Sequence, residues 1–382
     1  MQMLQAKLTF VGNDNMKIAI ITRHAVSNYG SLLQTIATQL ALKQLGHSCE
    51  IIDYIRDDET CWEVEKTLLK GKPKWNSSVL KRWIYLMLRQ PESVIAGMVF
   101  ARERKKYLLS TKRYSSYEQL VHDKPKADVY MTGSDQVWGP VADGTFDKAY
   151  MLAFTEDVDR RISYASSFGH TNMTKQLAHQ YKCWLSRYTA VTVRERSAKK
   201  LLENLEILSE QVLDPTLLME QSYWEQFACK KSPARYVLVY QIHNNPQVDA
   251  YAKKVARAKG VPLYRISTSL RRLKCDGKAI WLPDLKSFVG YIAGAECLVT
   301  DSFHGTAFAI NLNVPFVDVL TENGTQSRNI SILEMTGLTD RILRDSEDVR
   351  LADVPIDYQR INRILTQKRQ ESFAILDKML QE

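Results

Sequence analysis

A short apolar, β-branched run followed by apolar residues at helical spacing recurs along this chain, and that alternation most constrains the fold. Residues 18–22 form the first run. Leu32, Leu33, Ile36, Ala37, Leu40, Ala41 and Leu45 then return at helical intervals, Gly46 stands where a C-terminal cap belongs, and 50–54 reads as a second strand. Strand-like runs resume at 128–132, 162–167 and 189–193, and again at 236–242, 263–267, 296–300 and 315–319. Helical spacing covers about 246–259, 285–293 and 306–312, and a long helix is predicted over about 357–380. Strands that alternate with helices pack as parallel sheets, because each crossover must return the chain to the same edge. A chain of 382 residues is too long for one ordinary core. The reading is therefore α/β, with two Rossmann-like domains over 16–215 and 235–345, a connector at 217–234 and a closing helix over 355–382. Residues 57–127 are rich in Lys, Arg and Trp and lack clean strands, so they read as a basic helical insertion in the first domain. Residues 1–15 read as an upstream extension outside the fold.

Several function classes drop out early. The formal charge of +9 favours anionic partners, but no motif that reads RNA or DNA is present, and nucleic acid is not an expected partner. The first strand-to-helix turn has only Gly30, not the glycine fingerprint of dinucleotide binders, which disfavours NAD. The six cysteines show no CxxC spacing and no Cys/His cluster, so neither a zinc site nor a disulfide framework is expected, and a reducing cytoplasm fits them. No run approaches the ~18 apolar residues of a membrane span, and no signal peptide is visible. The basic insertion has two readings: a peripheral seat on an anionic membrane at its inner, cytoplasmic face, or an ordinary helical subdomain with solvated charges.

In open parallel sheets, ligands sit beyond the carboxyl ends of the strands. Residues there are unusually small and polar in this chain. Asp301-Ser302-Phe303-His304-Gly305-Thr306 follows a strand and opens a helix, where free amides and the helix dipole make an anion site; His304 could move a proton, or simply pack on the helix that Ser302 caps. Arg194, at another strand end, could grip a carboxylate or phosphate with two parallel hydrogen bonds, or form an ion pair with a neighbour. Gly133-Ser134-Asp135-Gln136-Val137-Trp138 offers a tight turn, a hydroxyl, a carboxylate and an indole for a sugar face; the alternative is an Asx-type turn with Trp138 in the core. Asn28, Tyr29, Gly30 and Ser31 lie in the first turn, as cap or as ligand contacts. His243 and Arg328 are further candidates for the same cleft, and the loop from Ser166 to His170 is a weaker one.

The segments MKIAIIT with NYGSLLQ, then MTGSDQVW, YASSFG, VRERS, VLDPT and VTDSFHGTAFAINLNVPF, in this order, resemble the polysaccharide pyruvyl transferase family. The resemblance implies a fold like that of the two-domain glycosyltransferases termed GT-B. It implies phosphoenolpyruvate as co-substrate with no cofactor or metal, and a sugar acceptor that is often lipid-linked. The product implied is a cyclic pyruvate ketal. It places His304 near the donor, Arg194 on the donor's phosphate or carboxylate, and Asp135 on the acceptor hydroxyl. Ser302, Gly305, Thr306 and Arg328 complete the expected donor side. Asn28, Tyr29, Gly30, Ser134, Trp138 and His243 would form the acceptor side or cleft wall. Some members have arginine where this chain has Ser302, which leaves anion binding to Arg194, backbone amides and Arg328. Two other functions stay open: a glycosyltransferase using a nucleotide sugar, which shares the fold, and a non-catalytic glycan or phosphate binder, against which the polar residues at successive strand ends argue.

Overall fold

A computed structural model describes residues 15–141, 144–229, 235–321 and 326–382. Seven strands make the first sheet: β1 (Lys17–Ile21), β2 (Ser48–Tyr54), β3 (Ser110–Tyr114), β4 (Val129–Thr132), β5 (Arg160–Ser166), β6 (Ala190–Val193) and β7 (Glu210–Gln211). Five make the second: β8 (Val237–Tyr240), β9 (Leu263–Ser267), β10 (Lys278–Trp281), β11 (Cys297–Thr300) and β12 (Phe316–Asp318). Their orders are β3-β2-β1-β4-β5-β6-β7 and β10-β9-β8-β11-β12. The neighbouring strands β1 and β4 run parallel, as do β8 and β11. Each sheet thus reverses its strand order once, at β1/β4 and at β8/β11, and leaves a crevice there beyond the carboxyl ends.

The central strands β4, β8 and β11 are buried along their whole length. A parallel strand covered on both faces needs apolar side chains at every position, which is why these runs were plain in the sequence. The edge strands were not. β3 reads STKRY and β10 reads KAIW, with mostly exposed or half-buried side chains. The segment 57–127 is therefore not purely helical, because β3 lies within it and pairs with β2.

The two halves share one core. A single apolar cluster runs from Ile18 and Tyr29 through Leu238 and Phe288 to Leu376. The Tyr29 ring stacks on Phe288 with centroids 4.3 Å apart, and its hydroxyl donates to the Pro283 carbonyl at 2.8 Å. The 29-residue helix Val79–Tyr107 also bridges the halves. Its buried carboxylates Glu92 and Glu103 accept the amides of Leu270 and Leu285, each at 3.1 Å. The closing helix, Tyr358–Gln381, returns to the first sheet: the Ser372 hydroxyl accepts the Leu213 amide, and Arg160 donates to the carbonyls of Met379 and Leu380. An apolar junction of this kind holds the halves at a fixed angle, unlike the polar seam of freely hinged domains.

Tyr29→Ala is expected to cost about 3–5 kcal/mol of stability, as for other buried aromatics, and Tyr29→Phe about 1 kcal/mol. Urea unfolding measures both. A parent-like midpoint for the alanine variant would show that the Tyr29–Phe288 contact does not hold the halves together.

Candidate active site

Between the two switch points lies a cavity of about 230 Å³. Loops at strand ends supply its wall. Arg23, Val26, Ser27, Asn28 and Ser31 follow β1, and Asp135 and Gln136 follow β4. Ile242 and His243 follow β8, Asp301 to His304 follow β11, and Leu320, Thr321, Gln326, Arg328 and Asn329 come after β12.

Each loop is held by short-range bonds. Asn28 caps the first helix, its Oδ1 accepting the amides of Gly30 (2.8 Å) and Ser31 (3.3 Å). Asp135 has φ +82°, a left-handed backbone rare outside glycine. The tight turn expected at Gly133 falls on Asp135 instead, where the side-chain Oδ1 accepts the next amide, from Gln136, at 2.8 Å. Asp301 fixes the loop after β8 by accepting the amides of Ile242 (2.7 Å) and His243 (3.1 Å). The Ser302 hydroxyl caps the helix Phe303–Asn311 by accepting the Gly305 amide at 3.2 Å. Amides at the first two positions of a helix have no carbonyl within it, so those of Phe303 and His304 are available at the cavity.

Behind the wall sits a buried charge cluster. Arg194 Nη1 donates to Asp214 Oδ2 (2.7 Å) and to the Ser134 hydroxyl (3.2 Å), and Nη2 to Asp135 Oδ1 (3.3 Å); Glu195 lies 3.5 Å from Nε. The guanidinium is wholly inaccessible. Burial alone would raise the Asp135 and Asp214 carboxyls, but opposing charges win and hold both well below the ordinary carboxylate range. For Asp135 the main opposing charges are Arg194, Arg23 and His304; for Asp214 they are His304 and Arg194. His304 Nε2 lies 3.7 Å from Asp214 Oδ2 and has no hydrogen-bond partner among the described residues. The histidine ring also fills the space over Gly30, where an added Cβ would come within 2.1 Å of Nδ1. A histidine from the second half is thereby seated in the first half, beside Asp135 and Asp214.

Of the residues expected from the sequence, Asn28, Asp135, His243, Ser302, His304 and Arg328 converge on this cavity. Others do not reach it. Arg194 was expected on a donor anion, but four groups of the protein already occupy its guanidinium. Ser134 is buried and spends its hydroxyl on Asp214. Trp138 packs in the core against Phe168 and Tyr188, so it presents no face to a sugar. Tyr29 is consumed by the junction between the halves. Gly30 makes room for His304, not for a ligand. Gly305 is small because a Cβ would meet Thr300 Oγ1 at 2.4 Å. Thr306 bonds the Asp318 carboxylate at 2.5 Å.

The sequence reading gave no role to Arg23, Gln136, Asp214 or Asn329. Arg23 and Gln136 sit just past apolar runs, so the strand-end rule applied residue by residue would have found them. Asp214 also follows a short apolar step, within VLDPT, but it acts from behind the wall, so its position gave no hint of its partners.

Arg328 differs from the other cations of the wall. Arg23 is paired with Glu59 at 2.7 Å. Arg328 is half-buried, and its Nε has no partner among the described residues. Burial, and then the charge of Arg194, bring its pKa down to about 10. An anion in the cavity would relieve both penalties. Among the described residues, no group of three His, Cys, Asp or Glu side chains is placed to hold a metal ion.

The sequence profile of the polysaccharide pyruvyl transferase family matches residues 28–323. No curated relative matches the chain in sequence. Solved structures match in fold at low identity. An Arabidopsis thaliana protein, UGT89C1 complexed with UDP-L-rhamnose, superposes with a TM-score of 0.51 at 10% identity, covering 96% of this chain and all (100%) of that one. A Listeria monocytogenes protein assigned as a UDP-N-acetylglucosamine 2-epimerase gives 0.50 at 10% identity, over 94% of this chain and 91% of that one. These likenesses establish a GT-B-like fold.

Arg194→Ala is expected to destabilise the protein by about 3–5 kcal/mol, since it strands buried carboxylates. Chemical denaturation reads this directly. A loss under about 1 kcal/mol would mean that the guanidinium is not what holds the cluster. A second expectation concerns Asp318, whose carboxyl burial pushes up to about 7 despite bonds from Thr306 and Asn329. Its folded pKa exceeds its unfolded value of about 4, so its contribution is fully present below pH ~4 and is lost as pH rises to about 7. Asp318→Asn should flatten the fall in stability across that window. An unchanged slope in melts taken from pH 4 to 7 would refute it.

Proposed function

The chain belongs to the polysaccharide pyruvyl transferase family, and from that premise we propose that it moves the pyruvyl group of phosphoenolpyruvate onto two hydroxyls of one sugar, free or lipid-borne, closing a cyclic ketal. Arg328 carries the proposal. An enclosed guanidinium without a partner on Nε, beside a helix N-terminus and Arg23, suits a small ligand bearing both a phosphate and a carboxylate. The cavity's size agrees. Sites for drug-sized ligands span about 300–1,000 Å³, and the present one, at about 230 Å³, suits a three-carbon phosphate better than a nucleotide sugar.

The residues divide the work as follows. His304 delivers a proton to the methylene carbon of the donor, and positive charge develops at the adjacent carbon. A sugar hydroxyl oxygen bonds to that carbon and gives its proton to the His304 imidazole, which the first step left neutral. The carbon–oxygen bond to phosphate then breaks, with the electron pair leaving on phosphate. A second hydroxyl of the same sugar adds to the same carbon and passes its proton to the departed phosphate, which closes the ketal and leaves hydrogen phosphate as the other product. Asp214, behind His304, orients the ring. Asp135 is held ionised by its neighbours, so it accepts a hydrogen bond from the acceptor hydroxyl and steadies developing positive charge more readily than it abstracts a proton. Arg328 and the amides of Phe303 and His304 take the donor's anionic groups.

His304→Ala should lower phosphate release from phosphoenolpyruvate by ~10²–10⁴-fold while donor binding persists. Arg328→Ala should weaken the melting-temperature rise that phosphoenolpyruvate gives the parent. Release of nucleotide from a nucleotide sugar, with no response to phosphoenolpyruvate, would overturn the assignment in favour of glycosyl transfer. Donor binding without turnover across a panel of sugars would favour a binder.

A further inference from the structure

The helix Val79–Tyr107 is apolar on two opposite faces. One carries Tyr85, Ala96 and Phe100, which are buried against the rest of the protein. At 100° per residue, Val79, Leu80, Trp83, Met87, Ile95 and Met98 fall on the other side. None of the described residues covers them: Val79 is 72% exposed, Leu80 69%, Trp83 64% and Met98 67%. Trp62, Leu68 and Trp75, from the preceding short helices, are exposed as well. An open apolar face over about 30 Å of helix is a docking surface, not ordinary solvent exposure.

The charges around it identify what docks. Every fully exposed charged side chain between residues 63 and 107 is basic, Lys74, Lys81, Arg82 and Arg102 among them. The acids of the stretch face inward or are paired: Glu65, Glu92 and Glu103 are buried, and Glu63 bonds Lys66. A second copy of this chain would set one basic rim against another. A nucleic acid would satisfy the rim but leave the apolar side chains in water. Tryptophan, leucine and methionine framed by lysine and arginine match an acyl boundary beneath anionic headgroups.

We propose that this outer face seats on an anionic lipid bilayer, with its apolar side chains in the headgroup boundary and its basic rim on the lipid phosphates. Among the described residues, no helix is long and apolar enough to cross a membrane, so the contact is peripheral. The helix that carries the seat reaches a loop of the cleft at its C-terminal end. Arg104, on the same helix, donates to the Ala25 carbonyl at 3.2 Å, and Val26 and Ser27 of that loop line the cavity. A bilayer held here presents headgroup-borne sugars near the cavity without any movement of the halves. The seat does not depend on which donor the cavity takes.

Co-sedimentation of the full chain with phosphatidylcholine vesicles, with and without phosphatidylglycerol, tests the seat. The parent should bind phosphatidylglycerol vesicles at least about tenfold more tightly than neutral ones, weaken in high salt, and shift its tryptophan emission to the blue. Lys81→Glu with Arg82→Glu should lower affinity by about twentyfold or more, at roughly fivefold per basic residue. Leu80→Ser, Trp83→Ser and Met87→Ser together should abolish binding and the emission shift. All these positions are exposed, so parent-like melting temperatures are expected. Failure of the parent to sediment with anionic vesicles overturns the proposal. So does parent-like binding by the triple serine variant, or a dimer in solution that this variant converts to monomer.

Discussion

One arginine with no access to water organises this protein. Arg194 directly follows β6, and its guanidinium joins Asp135 from the loop after β4 to Asp214 from the loop after β7. Its flat face also lies 4.7 Å over the Phe303 ring, which comes from the other half of the molecule. Buried carboxylates that lose such a partner become uncompensated charges, so the three loops keep their places together or not at all. The position of His304 follows, because it is the residue next to Phe303 and its ring rests beside Asp214. Gly30 contributes by absence, since any side chain there would occupy the space of the imidazole.

The fold was legible because burial on both faces leaves a strong trace. β4, β8 and β11 are buried throughout and almost wholly apolar, with only the last residues Thr132 and Thr300 polar and their hydroxyls bonded to backbone carbonyls. β3 and β10 lie at sheet edges, where solvent tolerates STKRY and KAIW, and no apolar run announces them. The site was half legible for a related reason. Strand-end position predicts that a residue is near the crevice, but not which way its side chain points. Arg194 directly follows an apolar run and Arg328 lies in the first turn of the helix Ser327–Thr336, so the sequence made both candidates for the cleft, Arg194 the stronger. What separates them is Asp214, twenty residues from Arg194 along the chain, together with Asp135, 59 residues away. Contacts at such distances leave no local pattern. Trp138 shows the same limit: its place in the core depends on Phe168 and Tyr188, which only the folded sheet brings near.

The distribution of charge explains how a cluster of acids can lie beside a site for anions. Arg194 absorbs carboxylate charge behind the wall, and Glu59 answers Arg23. That leaves Arg328, whose Nε has no partner among the described residues, and the first amides of the Phe303–Asn311 helix as the positive groups facing the cavity. A ligand meets that remainder, not the cage. Attraction for an anion and a fixed carboxylate for a hydroxyl can then coexist within one small volume.

The same cage limits how the site can open. Hinged two-domain enzymes assemble their catalytic groups by closure, which needs a polar, weakly held junction. Here the Tyr29–Phe288 stack, the shared core and the two carboxylates of the Val79–Tyr107 helix resist such motion. A cleft held in its working shape lacks closure as a means of drawing in a bulky acceptor, so delivery falls to whatever surface lies next to its mouth. The insertion helix, whose outer face is proposed to seat on lipid, touches the cavity's own loop at its C-terminal end through Arg104 and Ala25. If both proposals hold, rigidity at the centre and stickiness at the rim are one arrangement: a preformed pocket for a small donor, with a larger acceptor brought alongside by the insertion.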